Sequence, residues 1–239
     1  MNFVLIKQVD QQDIQSIHRV RSRVVKNRTA LINEIRGLLL EYGLIVAPGV
    51  TRVKHSLFAI IADRANELTP LSRDCMQDLF DELVEIEAQS KRLDKKIRQL
   101  CKQNDTCCRL LTIPGVGELT ATAMVAAVPN ANEFTNGRHM AAWLGLVPRQ
   151  SSSGHKQVLL GISKRGDRYL RTLLIHGARS ALSYYKNTDS DYGRWLTTKK
   201  EKLNFNKAAV ALANKNARII GSLLNTGKEF NCNNQMAAA

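Results

Sequence analysis

Three consecutive serines, Ser151, Ser152 and Ser153, stand between Pro148 and Gly154. A serine hydroxyl is a weak nucleophile until its proton is taken and its target is polarised. Cations flank the run, with Arg149 before it and Lys156, Lys164 and Arg165 after it. Such a set is the clamp that attack on a phosphodiester requires, because charge builds on the phosphoryl oxygens in the transition state. Gly154 leaves room for a phosphate backbone beside the hydroxyl. A Ser-Ser-Ser-Gly run is also the composition of a plain flexible loop, and that reading stays open. His155 and His176 are the nearest histidines, and a lone histidine is more often structural than a base.

A second pattern runs through Leu110, Leu111, Thr112, Ile113, Pro114, Gly115, Val116 and Gly117 into Glu118. An apolar helix end meets a Pro-Gly-x-Gly turn, and a helix of small residues (Ala121, Ala123, Ala126, Ala127) starts after it. This is the helix-hairpin-helix pattern. Its glycines permit a tight turn and close approach of a ligand, and the free N–H groups at the second helix's start face an anion such as a phosphate. Pro114, Gly115, Val116 and Gly117 are therefore candidate DNA contacts. An ordinary corner between two helices, with no ligand, has the same sequence.

The elements that must hold these residues are mostly helical. Ile14, Ile17, Val20, Val24, Leu31, Ile35 and Leu38 recur at helical spacing and predict one long helix over 10–43, stopped by Gly43 and Pro48-Gly49. A shorter helix is predicted over 51–72, and a second long one over 71–103. The seam of that second helix, Leu79, Leu83, Ile86, Ser90, Leu93, Ile97 and Leu100, alternates fours and threes as a coiled coil does. Its segment 74–87 holds six acids and no base, and 91–102 holds six bases and one acid. That polarity complements the helix dipole and suits an antiparallel partner, either the 10–43 helix or another subunit. A helix after Gly166 reaches Tyr185, with Leu170, Leu173, Leu174, Gly177 and Ala181 facing inward and Arg168, Arg171 and Arg179 on a basic stripe suited to phosphates. A last amphipathic helix covers 207–224, and 231–239 reads as a disordered tail. Short extended pieces are expected near Phe3 to Lys7 and around Val158 to Gly161.

Composition narrows the class. The chain has 239 residues, 44% hydrophobic and 23% charged, which suits a folded soluble protein with few aromatics and few turn residues. The expected fold class is mainly α: long coiled-coil helices, then a helical domain with a helix-hairpin-helix motif. Domains are expected at 1–106 (helical oligomerisation region) and 107–226, with a tail from 227. Five cysteines, an odd number without CxxC spacing, argue against zinc and disulfides. No signal peptide or bilayer-length apolar run is read, so a cytoplasmic protein with no membrane partner is expected. The net charge is +14, and 149–221 alone holds 15 Lys+Arg against 4 Asp+Glu. A field of that sign and density attracts nucleic acid.

The stretches LLTIPGVGELTATAMVAAV, AAWLGLVPRQSSSGHK and LLGISKRGDRYLRTLLIHGARSAL closely resemble the transposase domain of the IS-one-ten class of insertion-sequence transposases, in its IS-eleven-eleven branch. The upstream QQDIQSIHRVRSRVVKNRTALINEIRGLLLEYG resembles the helical segment that precedes that domain, so the likeness spans roughly 3–225. It implies a DNA recombinase, cytoplasmic and nucleoid-associated in a bacterium, that excises and inserts a mobile element, guided in some members by a structured RNA. Members join an N-terminal acidic, magnesium-binding domain to a domain with a nucleophilic serine through a coiled coil that mediates homo-oligomers. Carried over by motif, the serine directly before the glycine is the nucleophile, Ser153 here, with Ser152 the alternative because the triplet blurs the register. Arg149, Lys156, Lys164, Arg165, Arg168 and Arg171 are the DNA-contact candidates. The implied reaction leaves a phosphoserine link and a free 3′-hydroxyl. His155 stands where many relatives have a second glycine. No acidic quartet on alternating strands is read here, so no metal site and no cofactor are expected in this chain, and an N-terminally truncated copy is expected. The alternative is a non-catalytic DNA-binding protein that occupies element ends or co-assembles with the intact enzyme.

Overall fold

Heptad and helical periodicities materialise as long helices. The computed structural model describes residues 7–128, 130–153 and 156–233, with the side chains of 131, 156 and 157 outside the description. Among them are α1 (Val9–Glu41), α2 (Val50–Ala62), α3 (Pro70–Lys102), α4 (Asp105–Leu111), α5 (Glu118–Ala127), α6 (Gly137–Trp143), α7 (Arg168–Tyr184), α8 (Asp191–Lys202) and α9 (Phe205–Thr226). Two strands, β1 (Pro148–Ser153) and β2 (Lys156–Ile162), form one antiparallel hairpin. The fold is mainly α. Of the expected extended pieces, the one at Val158 to Gly161 lies within β2, and Phe3 to Ile6 lie outside the described residues. The same is true of 234–239 in the expected tail.

The chain divides into two units, 16–96 and 1–15 with 97–239. In the first, Leu31, Ile32, Ile35 and Leu39 of α1, Val53 and Leu57 of α2, and Met76 and Leu83 of α3 form one core. The α3 seam keeps its period: Met76, Leu83 and Ser90 are buried at seven-residue spacing, and Leu79, Ile86 and Leu93 are half-buried between them. Arg21 pairs with Asp94, and at the far end the Tyr42 and Ser72 hydroxyls share a hydrogen bond. Residue 21 meets 94 and residue 42 meets 72, so α1 runs antiparallel to α3 inside this chain. Lys54 adds α2 through Glu87 at 3.0 Å. The α2 helix stops at Ala62, well before the expected end near Thr69-Pro70, and Arg73 donates to the carbonyls of Ile60, Ile61 and Asp63 and so satisfies its last turn. His18 is buried at 4% exposure, and burial, then the nearby Arg21 charge, lowers its pKa to about 4.

In the second unit α9 is the central element. Ala208, Ala209, Leu212, Ala213, Ala217 and Ile220 are buried in a core shared with α4 to α8. Small residues let neighbours approach: a Cβ on Gly137 of α6 would lie 2.8 Å from the Arg218 carbonyl oxygen. Side-chain caps fix the entries. Asn104, Asn136, Asp167, Ser190 and Asn204 each accept from a first-turn N–H of α4, α6, α7, α8 and α9. Gln11 and Gln15 of α1 donate to the Val125 and Ala126 carbonyls at 3.1 and 3.0 Å, capping the end of α5.

Candidate nucleic-acid interface

The serine run is a strand, not a loop. Gln150 pairs with Leu159, Ser151 with Val158, Ser152 with Gln157 and Ser153 with Lys156. Directly opposed residues share a face of an antiparallel ribbon, and successive residues alternate. Ser151, Ser153 and Val158 therefore occupy one face, and Gln150, Ser152 and Leu159 the other. Ser153 and its alternative Ser152 point to opposite sides. Ser152 Oγ accepts from Gln150 Nε2 at 2.8 Å, as same-face neighbours do. All of β1 is exposed. Gly154 and His155, which close the hairpin, lie outside the described residues, as does the Lys156 side chain.

The base of the ribbon is clamped. Residues 143–147 lead in and 163–166 lead out, and the two backbones nearly touch. A Cβ on Gly145 would lie 1.9 Å from the Arg165 carbonyl oxygen, and one on Gly166 would lie 1.9 Å from that of Trp143. Both glycines have positive φ, +71° and +81°, so no side chain is tolerated on either count. Ser163 N donates to Val147 O at 2.8 Å and Lys164 N to Gly145 O at 3.1 Å. Asn214 of α9 donates to Leu146 O at 3.1 Å. Arg171 closes the clamp: its Nη1 donates to Leu144 O at 3.1 Å and Arg165 O at 3.0 Å, one carbonyl from each segment.

Arg171 thus has a different place from the one its sequence position implies. It is 8% exposed and its Nη1 is committed to two backbone carbonyls, so it positions the ribbon. The exposed face of α7 carries Arg168, Thr172, His176 and Arg179. Arg149, Lys164, Arg165 and Arg168 are exposed around the ribbon's base.

The Pro114 to Gly117 turn joins α4 to α5. Gly115 has φ +87°, and a Cβ there would lie 2.6 Å from the Gly177 carbonyl oxygen of α7. Its close approach is to another helix. Pro114 O accepts from Asn216 Nδ2 at 2.9 Å and Tyr192 Oη at 3.3 Å, and Val116 is buried. Gly117 is exposed and caps α5, whose first residue Glu118 pairs with Arg98 at 3.2 Å. Gly177 stands nine residues after Arg168, about 13 Å along the axis at 1.5 Å per residue. The turn and the start of α7 are therefore at different levels, and only Gly117 of the four presents open backbone.

Two further features were not legible. The clamp residues Gly145 and Asn214 matter through contacts distant in sequence, and only the left-handed glycine in LGLVP is a local signal. Lys215 lies 4.3 Å from the Trp195 ring centroid, and Lys199 lies 5.6 Å from the same ring. Burial, then Arg218 and Lys199, lower the Lys215 pKa. The Cys107 thiol is held protonated: burial first, then Cys101, pushes its pKa up to about 12. Among the described residues no group of three His, Cys, Asp or Glu is placed to hold a metal.

Known proteins share this organisation in sequence. Residues 107–193 match the model of the transposase IS116/IS110/IS902 family. The transposase for insertion sequence element IS1111A of Coxiella burnetii is 47% identical over 232 residues, 97% of this chain and 64% of its own. A probable family 20 transposase of Pseudomonas aeruginosa is 45% identical over 225 residues, 94% of this chain and 67% of its own. The chain belongs to the IS116/IS110/IS902 transposase family. It spans about two thirds of the length of these relatives. A pilin gene-inverting protein of Moraxella bovis is 36% identical over 91 residues, 35% of this chain and 28% of its own. The family match runs from α4 into α8 and contains the ribbon, both clamp glycines and Arg171. Among the described residues no helix is long and apolar enough to cross a membrane.

Proposed function

We propose that this chain is the serine-bearing, DNA-handling part of a transposition recombinase. One observation carries the reading: an exposed serine strand, rigidly clamped at its base, stands among exposed cations with no acidic residue in 148–165. In the reaction Ser153 Oγ attacks a DNA phosphorus. The Oγ–P bond forms, the P–O3′ bond breaks, the serine proton passes to solvent and the departing 3′ oxygen takes up a proton. Arg149, Lys156, Lys164, Arg165 and Arg168 hold the phosphates on either side. Arg171, Gly145 and Gly166 fix where the strand stands. Gly117 and the start of α5 offer N–H groups to a further phosphate, as the helix-hairpin-helix reading requires. The relatives, transposases and a pilin gene-inverting protein, support recombination as the class. A guide RNA and homo-oligomers built on a coiled coil are expectations of the same reading.

Trapping tests it. The chain, alone and mixed with a full-length family member, is incubated with nicked element-end DNA, and denaturing gels are read for a covalent adduct. The reading expects an adduct lost in Ser153→Ala and kept in Ser152→Ala. Because the two hydroxyls face opposite sides, the reverse pattern assigns the other face of the ribbon. A second reading has its own support: the hydrogen bond on Ser152 comes from an amide, which cannot take a proton. On that reading the chain binds element ends or co-assembles with the enzyme without chemistry. DNA binding with no adduct in either mixture decides for it.

A further inference from the structure

Helices α8 and α9 bring two ammonium groups to one indole. Lys215 Nζ of α9 lies 4.3 Å from the Trp195 ring centroid and 5.6 Å from that of Tyr192, and Lys199 Nζ of α8 lies 5.6 Å from the Trp195 centroid. The two ammonium groups are therefore closer than the screening length of about 10 Å in 0.1 M salt. Arg218, three residues after Lys215 on α9, adds a third positive charge that acts on Lys215. We infer that Lys215 and Lys199 bind a phosphate group against Trp195, at a site separate from the ribbon.

Charge points to an anion. One lysine lying along a ring needs no ligand, because its stem packs and the ring face attracts the ammonium. A second lysine on that ring and an arginine beside it add repulsion, and Lys215 is half-buried, where water screens it less. Burial first, then Arg218 and Lys199, lower the Lys215 pKa. Asp191 is the carboxylate that opposes them, and it is already paired with Arg194. The sequence of α9 contains no acid. An anion set among these cations offsets the repulsion. Ammonium and guanidinium groups donate and do not accept, so their complement is a compact group rich in acceptor oxygens. A tetrahedral phosphate offers oxygens in more than one plane to donors arriving from two helices, and a carboxylate offers them in one. The site also faces away from the clamp. Asn214, which donates to Leu146 O, is the residue before Lys215, and successive helical residues point about 100° apart. The phosphate is either free or part of a nucleic-acid strand, and the two sources give different results below.

The test uses the full chain and the emission of Trp195. Inorganic phosphate is titrated at constant ionic strength, with chloride as the balancing anion. The inference expects a saturable change that Trp195→Phe loses. Lys215→Met keeps an apolar stem on both rings and is expected to weaken phosphate by about tenfold or more, while Lys215→Arg stays within about threefold. Lys199→Gln leaves Lys215 in place and weakens phosphate by about threefold or more, so a folding defect in the Lys215 variant does not decide the outcome. A 5′-hydroxyl oligonucleotide, whose phosphates all lie in its backbone, identifies the source. If it reproduces the change and Lys215→Met removes it, the phosphate belongs to a strand. If inorganic phosphate alone acts, the phosphate is free. A change that chloride matches, no change with either probe, or equal affinity in Lys215→Met and the wild type overturns the site. None of these outcomes bears on the ribbon, whose reading stands or falls by the covalent adduct.

Discussion

Arg168 and Arg171 are three residues apart on α7, one exposed and the other buried. Three residues turn a helix by about 300°, which leaves a 60° offset, enough to carry one arginine off an exposed face and into the core. Arg171 shares the buried side with Leu170, Leu174 and Ala178. Its two carbonyl bonds are charge-assisted, and deleting the guanidinium orphans both acceptors. Arg171→Leu is therefore expected to lower unfolding stability by about 3 kcal/mol in urea titrations. Arg168→Ala should leave stability within about 0.5 kcal/mol and reduce the salt slope of DNA binding by about one. Equal stability of both variants would remove the clamp role of Arg171. His18 gives a pH signature. Its pKa in the folded chain is about 4 against an ordinary 6.5, so between those values the unfolded chain binds a proton the folded chain refuses. Stability is full above pH 6.5 and falls as pH drops towards 4, by up to about 3 kcal/mol. His18→Gln should flatten that window, and a wild-type profile already flat there would refute it.

At the scale of elements, the ribbon's aim depends on two glycines whose missing side chains let backbones cross. Gly145→Ala or Gly166→Ala places a methyl where a carbonyl oxygen is 1.9 Å away, at positive φ. Each is expected to cost more than about 2 kcal/mol and to reduce adduct yield. Gly161→Ala, with nothing within 4 Å of the added carbon, should change stability by less than about 0.5 kcal/mol. Circular dichroism melts of the three variants check this. These elements also mark what the sequence could reveal. The long helices were legible because one face of each is buried, and α7 and α9 fall within about two residues of expectation. Strand β1 was not, because period-two alternation records a buried face and both faces of PRQSSS meet solvent. Helices α6 and α8 were missed, one being seven residues long and the other mostly polar. Gly115 was legible as a turn, and its partner Gly177, 62 positions away, was not.

For the whole molecule, the division of charge matters more than its sum. The 16–96 unit satisfies its seam internally, with α1 antiparallel to α3, so the polarised charges of α3 are matched in part within one chain by pairs such as Arg21 with Asp94 and Lys54 with Glu87. The excess of cations falls instead in 149–221, which contains most of the ribbon, α7 and α8. On the proposed reading the ribbon, and not basic surface in general, holds nucleic acid. Fluorescence anisotropy of a labelled duplex from low to moderate salt tests it directly, because each phosphate neutralised adds about 0.9 to the slope of log affinity against log salt. Replacing Arg149, Lys164 and Arg165 together by alanine is predicted to lower that slope by about three, while replacing Lys199, Lys200 and Lys202 on α8 changes it by less than about one. A slope unmoved by the ribbon variant and reduced by the α8 variant would contradict the account.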